Sequence, residues 1–448
     1  MARRKLLTAA AVCAAAALYA GAAENSASDR GRTHLLQDNY IPAIWSRNAY
    51  DNAWQHWRGP TAKPVDYDAA FRETYGLNPA PYPNGNLPMG LRDGPRLLGK
   101  GVSIDCLACH GGSVMGQSVI GLGNASLDAQ ALFEDLNAGS GMPSRLPMRF
   151  SNVRGTSEAG GMSVYLLSHR NPDLSFRRPS VDLELHDQMC EDPPAWWLLH
   201  KKKTLYQTGG SDAHSVRSLM QFMMGSINGP AAFEKAEADF ADIQQYLYSL
   251  RPPKYPLSID RPLAAKGEAI FTKTCSRCHG TYGEDWTYPN KIVPLHEIGT
   301  DPARYRGITA KFGSYYDRSW FGQAEQNGGP AYSAKATAGY QAPPLDGIWA
   351  TAPYFHNGSA PTVYHVLNSK ARPKRFTRSY RTTAEDFDPV KLGWKYLEIE
   401  TIDSTLSPRE GRKTYDTTQP GRSNGGHIYG DDLSDEQRMS VIEYLKTL

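Results

Sequence analysis

The sequence predicts a mainly α-helical fold with extensive coil, built as two similar halves. Three observations predict it. First, helical stripes stand where each half would close. Phe240, Ile243, Leu247 and Leu250 mark a helix at about 232–250 that Pro252-Pro253 ends, and Ile442, Leu445 and Leu448 mark one at 435–448. Second, the long interiors between helices are rich in turn formers, with 41 Gly and 31 Pro in 448 residues, which favours coil over regular sheet. Third, one pentad occurs twice, as Cys106-Leu-Ala-Cys109-His110 and as Cys275-Ser-Arg-Cys278-His279. C-x-x-C-H is the pattern of c-type haem attachment: two thiols on one helical turn form thioethers with the two vinyl groups, and the adjacent His binds the iron. The expectation is therefore two c-type cytochrome domains, 51–255 and 262–448, each carrying one covalent haem.

Taken in order, residues 1–22 read as a secretory signal peptide. Arg3, Arg4 and Lys5 precede the apolar run Leu6–Tyr19, and Ala20-Gly21-Ala22 offers a small-x-small cleavage site. Cys13 would be discarded with it. No later run is long and apolar enough for a membrane span, so the product is expected to be exported, periplasmic or beyond, and soluble. Without the three basic residues of the signal, 46 of the 49 Lys and Arg remain against 46 Asp and Glu, a balance that gives no reason to expect nucleic acid. Of the five remaining cysteines only Cys190 lies outside the motifs, and it reads as a buried thiol.

Residues 23–50 look like a poorly structured N-terminal arm, and the Gly-, Pro- and aromatic-rich region to about 105 favours turns. No clear amphipathic helix leads into the first motif. GLGNASLDAQALFEDL, after Gly111, holds a candidate helix. RPPKYPLSIDRP (251–262) reads as an extended linker. The second domain opens on Leu263, Gly267, Ile270 and Phe271 at helical spacing, running straight into Cys275. Its closing helix carries a Ser434/Gln437 capping box.

His110 and His279 are the proximal iron ligands. The sixth positions decide between electron transfer and reaction with small oxidants. From Cys275 through Arg438 there is no methionine, so a nearby Met ligand is not expected for the second haem. His427, in a Gly-rich loop before the closing helix, is the favoured sixth ligand. His356, in APYFHNGS, is the alternative, as ligand or as a group beside a haem propionate; His296 and His365 are weaker candidates. For the first haem the chain offers His214, Met220, Met223 and Met224 around Phe222. Such a Met stripe is more often core than ligand. Phe222 facing the iron would leave an apolar, open site. Trp196 and Trp197 either line that pocket, bridge the haems or are plain core. Lys201–Lys203 and Lys370–Arg381 offer basic faces to an acidic redox partner, or are simply solvated.

The two pentads, the run APPLDGIWATAPYFHNGSAPTVYHVL (342–367) and the ending SNGGHIYGDDLSDEQRMSVIEYLKTL (423–448) resemble the dihaem bacterial cytochrome c peroxidases, which include the MauG-type enzymes. PPAWWLLHKKK and SLMQFMM bring the likeness closest to the rubber-oxygenase-like branch. The resemblance implies one reactive haem, the N-terminal one, and one relay haem with two His ligands. It also implies a haem-dependent oxidoreductase acting on peroxide or dioxygen, with a redox protein partner. The peroxidases place a Met after the APYFHNGS-type loop; here that stretch reads YHVLNSKARPK. They also hold calcium between domains, and no dense carboxylate loop marks such a site here. The rival readings are a pure electron-transfer cytochrome and a haem subunit of a dehydrogenase or oxidase complex.

Overall fold

The computed structural model describes residues 26–96, 99–186, 188–225, 227–326, 331, 333–334 and 337–448. The signal segment 1–22 lies outside the described residues. Two helix pairs organise the chain. In the first, α1 (Ala27–Gln37) packs on α2 (Pro230–Ser249); in the second, α3 (Arg261–Thr274) packs on α4 (Asp435–Leu445).

Both pairs cross at a glycine. A Cβ on Gly31 would lie 1.9 Å from the Asp242 carbonyl oxygen, and one on Gly267 would lie 1.9 Å from that of Ser440. Removing the side chain lets the backbones touch. At the second crossing Phe271 packs on Tyr444, with ring centroids 5.3 Å apart.

The helix α1 falls where the sequence suggested a poorly structured arm. Ser26 and Asp29 form a capping box at its start. Arg30 pairs with Asp242 at 2.7 Å, and His34 reaches Asp239 at 3.7 Å. Its buried stripe is only Gly31, Leu35 and Leu36, too narrow to register as an amphipathic pattern. An 11-residue helix of this composition draws its stability from docking on α2 rather than from propensity. The expected helices are otherwise present: the Ser434/Gln437 capping box opens α4, and GLGNASLDAQALFEDL carries a helix at Ala129–Gly139.

The fold is mixed helix and strand rather than mainly α. The antiparallel sheet β1 (Trp45–Ser46), β2 (Leu91–Pro95) and β3 (Lys100–Ile104) is ordered β1-β3-β2. A hairpin joins Gly111–Val114 to Gln117–Ile120, and a second sheet joins Arg375–Thr377 to Leu397–Glu398 and Thr414–Asp416. These strands have two to five residues, below the length at which alternation can be read from sequence.

The two largest cores draw side chains from both halves. Phe312, Tyr316, Trp320 and Phe321 join Leu35, Phe233 and Phe240. Conversely Leu122, Trp197 and Leu198 join Phe271, Trp349 and Ile442. Met220, Met223 and Met224 are core residues of the first cluster.

Candidate haem-binding site

The two pentads reach one place by different routes. Cys106 follows β3 directly, and Asp105 turns the chain by accepting the Leu107 N–H (2.8 Å) while paired with Arg92 (2.8 Å). Cys275 instead ends α3, and Ser276–His279 adds one more turn. Burial pushes the Cys106 thiol up to about 12 and those of Cys109 and Cys275 up to about 11. A redox dithiol needs the opposite, an electropositive setting that stabilises thiolate.

Both motif histidines are held alike. His110 Nδ1 lies 3.1 Å from the Pro194 carbonyl oxygen, and His279 Nδ1 lies 2.8 Å from that of Pro343. Nδ1–H donation to a carbonyl fixes the tautomer and leaves the Nε2 lone pair for a metal. Burial pushes His110 down to about 4 and lowers His279 too, which keeps both imidazoles neutral. The carbonyls belong to Pro193-Pro194 and Pro343-Pro344, each followed within six residues by Trp. This repeated Pro-Pro is the mark in the sequence of the two carbonyls.

The two Pro-Pro segments are tied together. Lys201 Nζ pairs with Asp346 Oδ1 at 2.7 Å, and Trp197 Nε1–H donates to the Asp346 carbonyl at 2.8 Å. Trp196 stacks on the His110 ring, with centroids 4.6 Å apart and planes at 22°. The neighbouring tryptophans therefore separate: Trp196 lines the site, whereas Trp197 is fully buried in the other core and does not.

A continuous cavity of about 600 Å³ opens onto both pentads. Its walls are largely apolar, as a macrocycle requires. Four histidines line it: His110, His279, His356 and His427. The other candidates are accounted for. His365 is buried with both ring nitrogens bonded, to Thr362 Oγ1 at 2.7 Å and Tyr396 OH at 3.1 Å. His296 is exposed, and neither His296 nor His214 lines the cavity.

The His279 and His427 rings face each other with centroids 6.3 Å apart. A metal–imidazole bond is about 2 Å long and the ring centroid lies roughly 1 Å behind its nitrogen, so two imidazoles on one iron stand about 6 Å apart. The pair thus fits the group its motif implies. Nε2 of His356 is buried without a hydrogen-bond partner, and the His427 ring lies against the Val366 backbone. His356 also stacks on Tyr340, centroids 4.1 Å apart.

The cavity also touches Ile41, Ile44, Phe133, Phe150, Met162 and Phe222. Phe222 is 41% exposed. Met162 is the single methionine in the wall among the described residues; the Met220–Met224 group lies behind it.

The His427 loop is tightly confined. Gly426 and His427 both have left-handed backbones, φ 71° and 45°. For His427 this costs about 1–2 kcal/mol. A Cβ on Gly426 would lie 2.2 Å from the Gly299 carbonyl carbon, so only glycine fits. The His427 N–H donates to the Ile298 carbonyl at 2.7 Å. Arg372 donates to the carbonyls of His365 (2.7 Å), Asn424 (2.6 Å), Gly426 (2.7 Å) and His427 (3.1 Å).

The basic runs are split: Lys203, Lys370, Lys374 and Arg381 are exposed, and the other basic residues are at least partly buried. Lys201 is buried in its ion pair, Lys202 lines the cavity, and Arg372 and Arg378 point inward, Arg378 onto the Trp394 ring at 5.3 Å. Among the described residues no helix is long and apolar enough to cross a membrane.

Residues 339–377 match the model of a family described as RoxA-like, cytochrome c-like. The matched segment contributes Pro343, His356 and Arg372. A cytochrome c-like domain implies covalently held haem c, and with it a haem-containing redox protein. Two proteins of Sinorhizobium fredii are similar. Uncharacterized protein y4iJ is 32% identical, over 44% of this chain and 41% of its own length. Uncharacterized protein y4iM is 31% identical, over 57% of this chain and 64% of its own length. The chain thus spans less than two thirds of each relative it matches.

Proposed function

We propose that this chain is a dihaem c-type oxidoreductase with one relay haem and one haem that reacts with peroxide or dioxygen. The observation that carries the reading is the division of the cavity histidines. His279 faces His427 across 6.3 Å, whereas among the described residues the ring packed against His110 is that of Trp196, stacked on its face, and not a second histidine. Cys106 and Cys109 would hold one haem, and Cys275 and Cys278 the other. Bound haem supplies one-electron redox chemistry and, where a sixth position is open, reaction with a small oxidant.

The chain's own part is orientation and exclusion of water. Pro194 and Pro343 hold the proximal rings in the tautomer that leaves Nε2 free. His427 closes the sixth position of the second motif. Ile41, Ile44, Phe133, Phe150 and Phe222 give the first motif an apolar surround. His356, with its partnerless Nε2, remains a hydrogen-bonding group for a haem carboxylate. Electrons would come from an external redox protein, by a surface that does not use the buried Lys201 or Arg372.

The test is the ferric and ferrous spectrum of the haem-loaded protein, with and without cyanide, carbon monoxide and peroxide. One low-spin haem and one that is high-spin and shifts with added ligand are expected. Two low-spin haems that ignore all three ligands would refute it. That result would favour a pure electron carrier, for which Met162 in the cavity wall is the available sixth ligand.

A further inference from the structure

We propose that Arg372 is a positioning residue that latches the His427 loop in ligating position, so that removing its guanidinium frees the sixth site of the second haem. This rests on the reading of His427 as that haem's ligand. Arg372 sits in the basic stretch 370–381, which sequence alone offers as a docking or solvated face. Its side chain instead turns inward and spends its donors on backbone carbonyls. Nε donates to His365, Nη1 to Asn424 and Gly426, and Nη2 to His427, with a longer contact to Val366 at 3.4 Å. These acceptors come from two segments: the helix Val363–Leu367 and the loop 424–427.

An arginine is needed for a physical reason. The loop carries two successive left-handed residues, which turn its carbonyls away from any regular ladder. The guanidinium's five donors in a fixed fork reach carbonyls on both segments at once, whereas the three donors of a lysine ammonium leave from a single atom and satisfy fewer of them. The acid that acts on Arg372 is Asp431, which interacts with it without a direct ion pair among the described residues, so the guanidinium's hydrogen bonds all go to carbonyls and its charge strengthens them. The same guanidinium lies 4.8 Å above the Phe355 ring, and Phe355 in turn is 5.8 Å from the His427 ring. The ligand is thereby held at its backbone and braced at its imidazole by one side chain. Arg438 provides the contrast. It binds the carbonyls of Leu367, Gly430 and Asp431, below the loop, and touches none of residues 424–427.

The experiment uses the full, haem-loaded chain with Arg372→Gln, Arg372→Lys and His427→Ala. Haem per chain is measured by pyridine haemochrome absorbance, and spin state by ferric absorption and electron paramagnetic resonance. In the Gln variant haem content should be unchanged, and the unligated fraction of the second haem should rise roughly tenfold or more. Millimolar imidazole should restore the low-spin signal. The Lys variant should show the same change to a smaller extent. If His427→Ala keeps the low-spin signal, the ligand reading itself fails. If His427→Ala loses it while the Arg372 variants keep it in full, the latch alone is refuted. Arg372 variants that lose haem instead of ligation also overturn the latch, because the guanidinium would then be supporting the fold.

Discussion

Replacing Gly267 by Ala should destabilise the second helix pair although alanine is the better helix former. Two effects oppose each other. Gly→Ala within a helix gains up to about 1 kcal/mol from propensity. Against this, the new methyl would stand 1.9 Å from the Ser440 oxygen, 2.4 Å from its carbonyl carbon and 3.0 Å from Tyr444 Cβ. The nearest atoms are backbone, so no side chain can rotate away. The helices must part by about 1 Å or more before carbon contacts become comfortable at ~3.5 Å. Such a gap forfeits a quarter to a half of the dispersion attraction along the seam, and overpacking of this kind costs about 1–3 kcal/mol. The steric loss wins, and in a cooperative unit of this size Tm should fall by about 1–3 °C. Gly313 is the control, in the helix Ala310–Arg318, where among the described residues a Cβ would meet only the Ala334 oxygen, at 3.6 Å. Gly313→Ala should raise Tm slightly. The assay is thermal unfolding followed by circular dichroism on haem-loaded protein. If Gly267→Ala melts at or above the wild type while Gly313→Ala behaves as expected, the close crossing is not a determinant of stability and the reasoning fails.

Three further outcomes follow from the geometry. Asp346→Asn leaves the buried Lys201 ammonium without its anion and should cost about 3 kcal/mol in urea unfolding; adding Lys201→Met should recover part of that loss, and a strictly additive double variant would argue against the pair. Burial, with Lys391 and Arg372 adding to it, pushes His365 down to about 4, so the unfolded chain binds the extra proton first. Its share of stability is present above the unfolded value near 6.5 and is lost as pH falls toward 4, by at most about 3 kcal/mol. His365→Gln should therefore flatten the fall in denaturant midpoint between pH 7 and 5; an unchanged slope would refute the assignment. Mass spectrometry should find two covalent haems on the native chain and one after Cys106→Ala with Cys109→Ala. Unmodified thiols at Cys106 and Cys109 in the native chain would remove the first site altogether.

Covalent chemistry was the most legible part of the sequence. C-x-x-C-H names its residues by adjacency, and the absence of methionine from Cys275 through Arg438 makes His427 the favoured candidate. The closing helices were legible because their stripes and caps are local. What escaped notice was non-local. The helix α1 shows a stripe of three small contacts and becomes a helix only against α2. Arg372 looks like any surface arginine until the loop it binds is folded beneath it. Trp196 and Trp197 are adjacent in sequence, yet one stacks on His110 and the other joins the opposite core, because a 3-10 turn at Trp196–Lys201 sends them apart. The two Pro-Pro pairs stand in the sequence, but which carbonyl meets which histidine is decided only when distant segments meet.

The continuity of the cavity bears on how the molecule is made. A pocket with its own walls can be filled late, after the polypeptide has closed around it. Here the two pentads share an interior, so whatever occupies one is a neighbour of the other. Under the two-haem reading, each cofactor would supply lining that the polypeptide does not. Attachment would then have to precede final collapse, while the chain is still open enough to admit both groups. A chain loaded at one pentad alone would keep a water-filled compartment beside the remaining haem, and would be left as an incomplete intermediate of maturation.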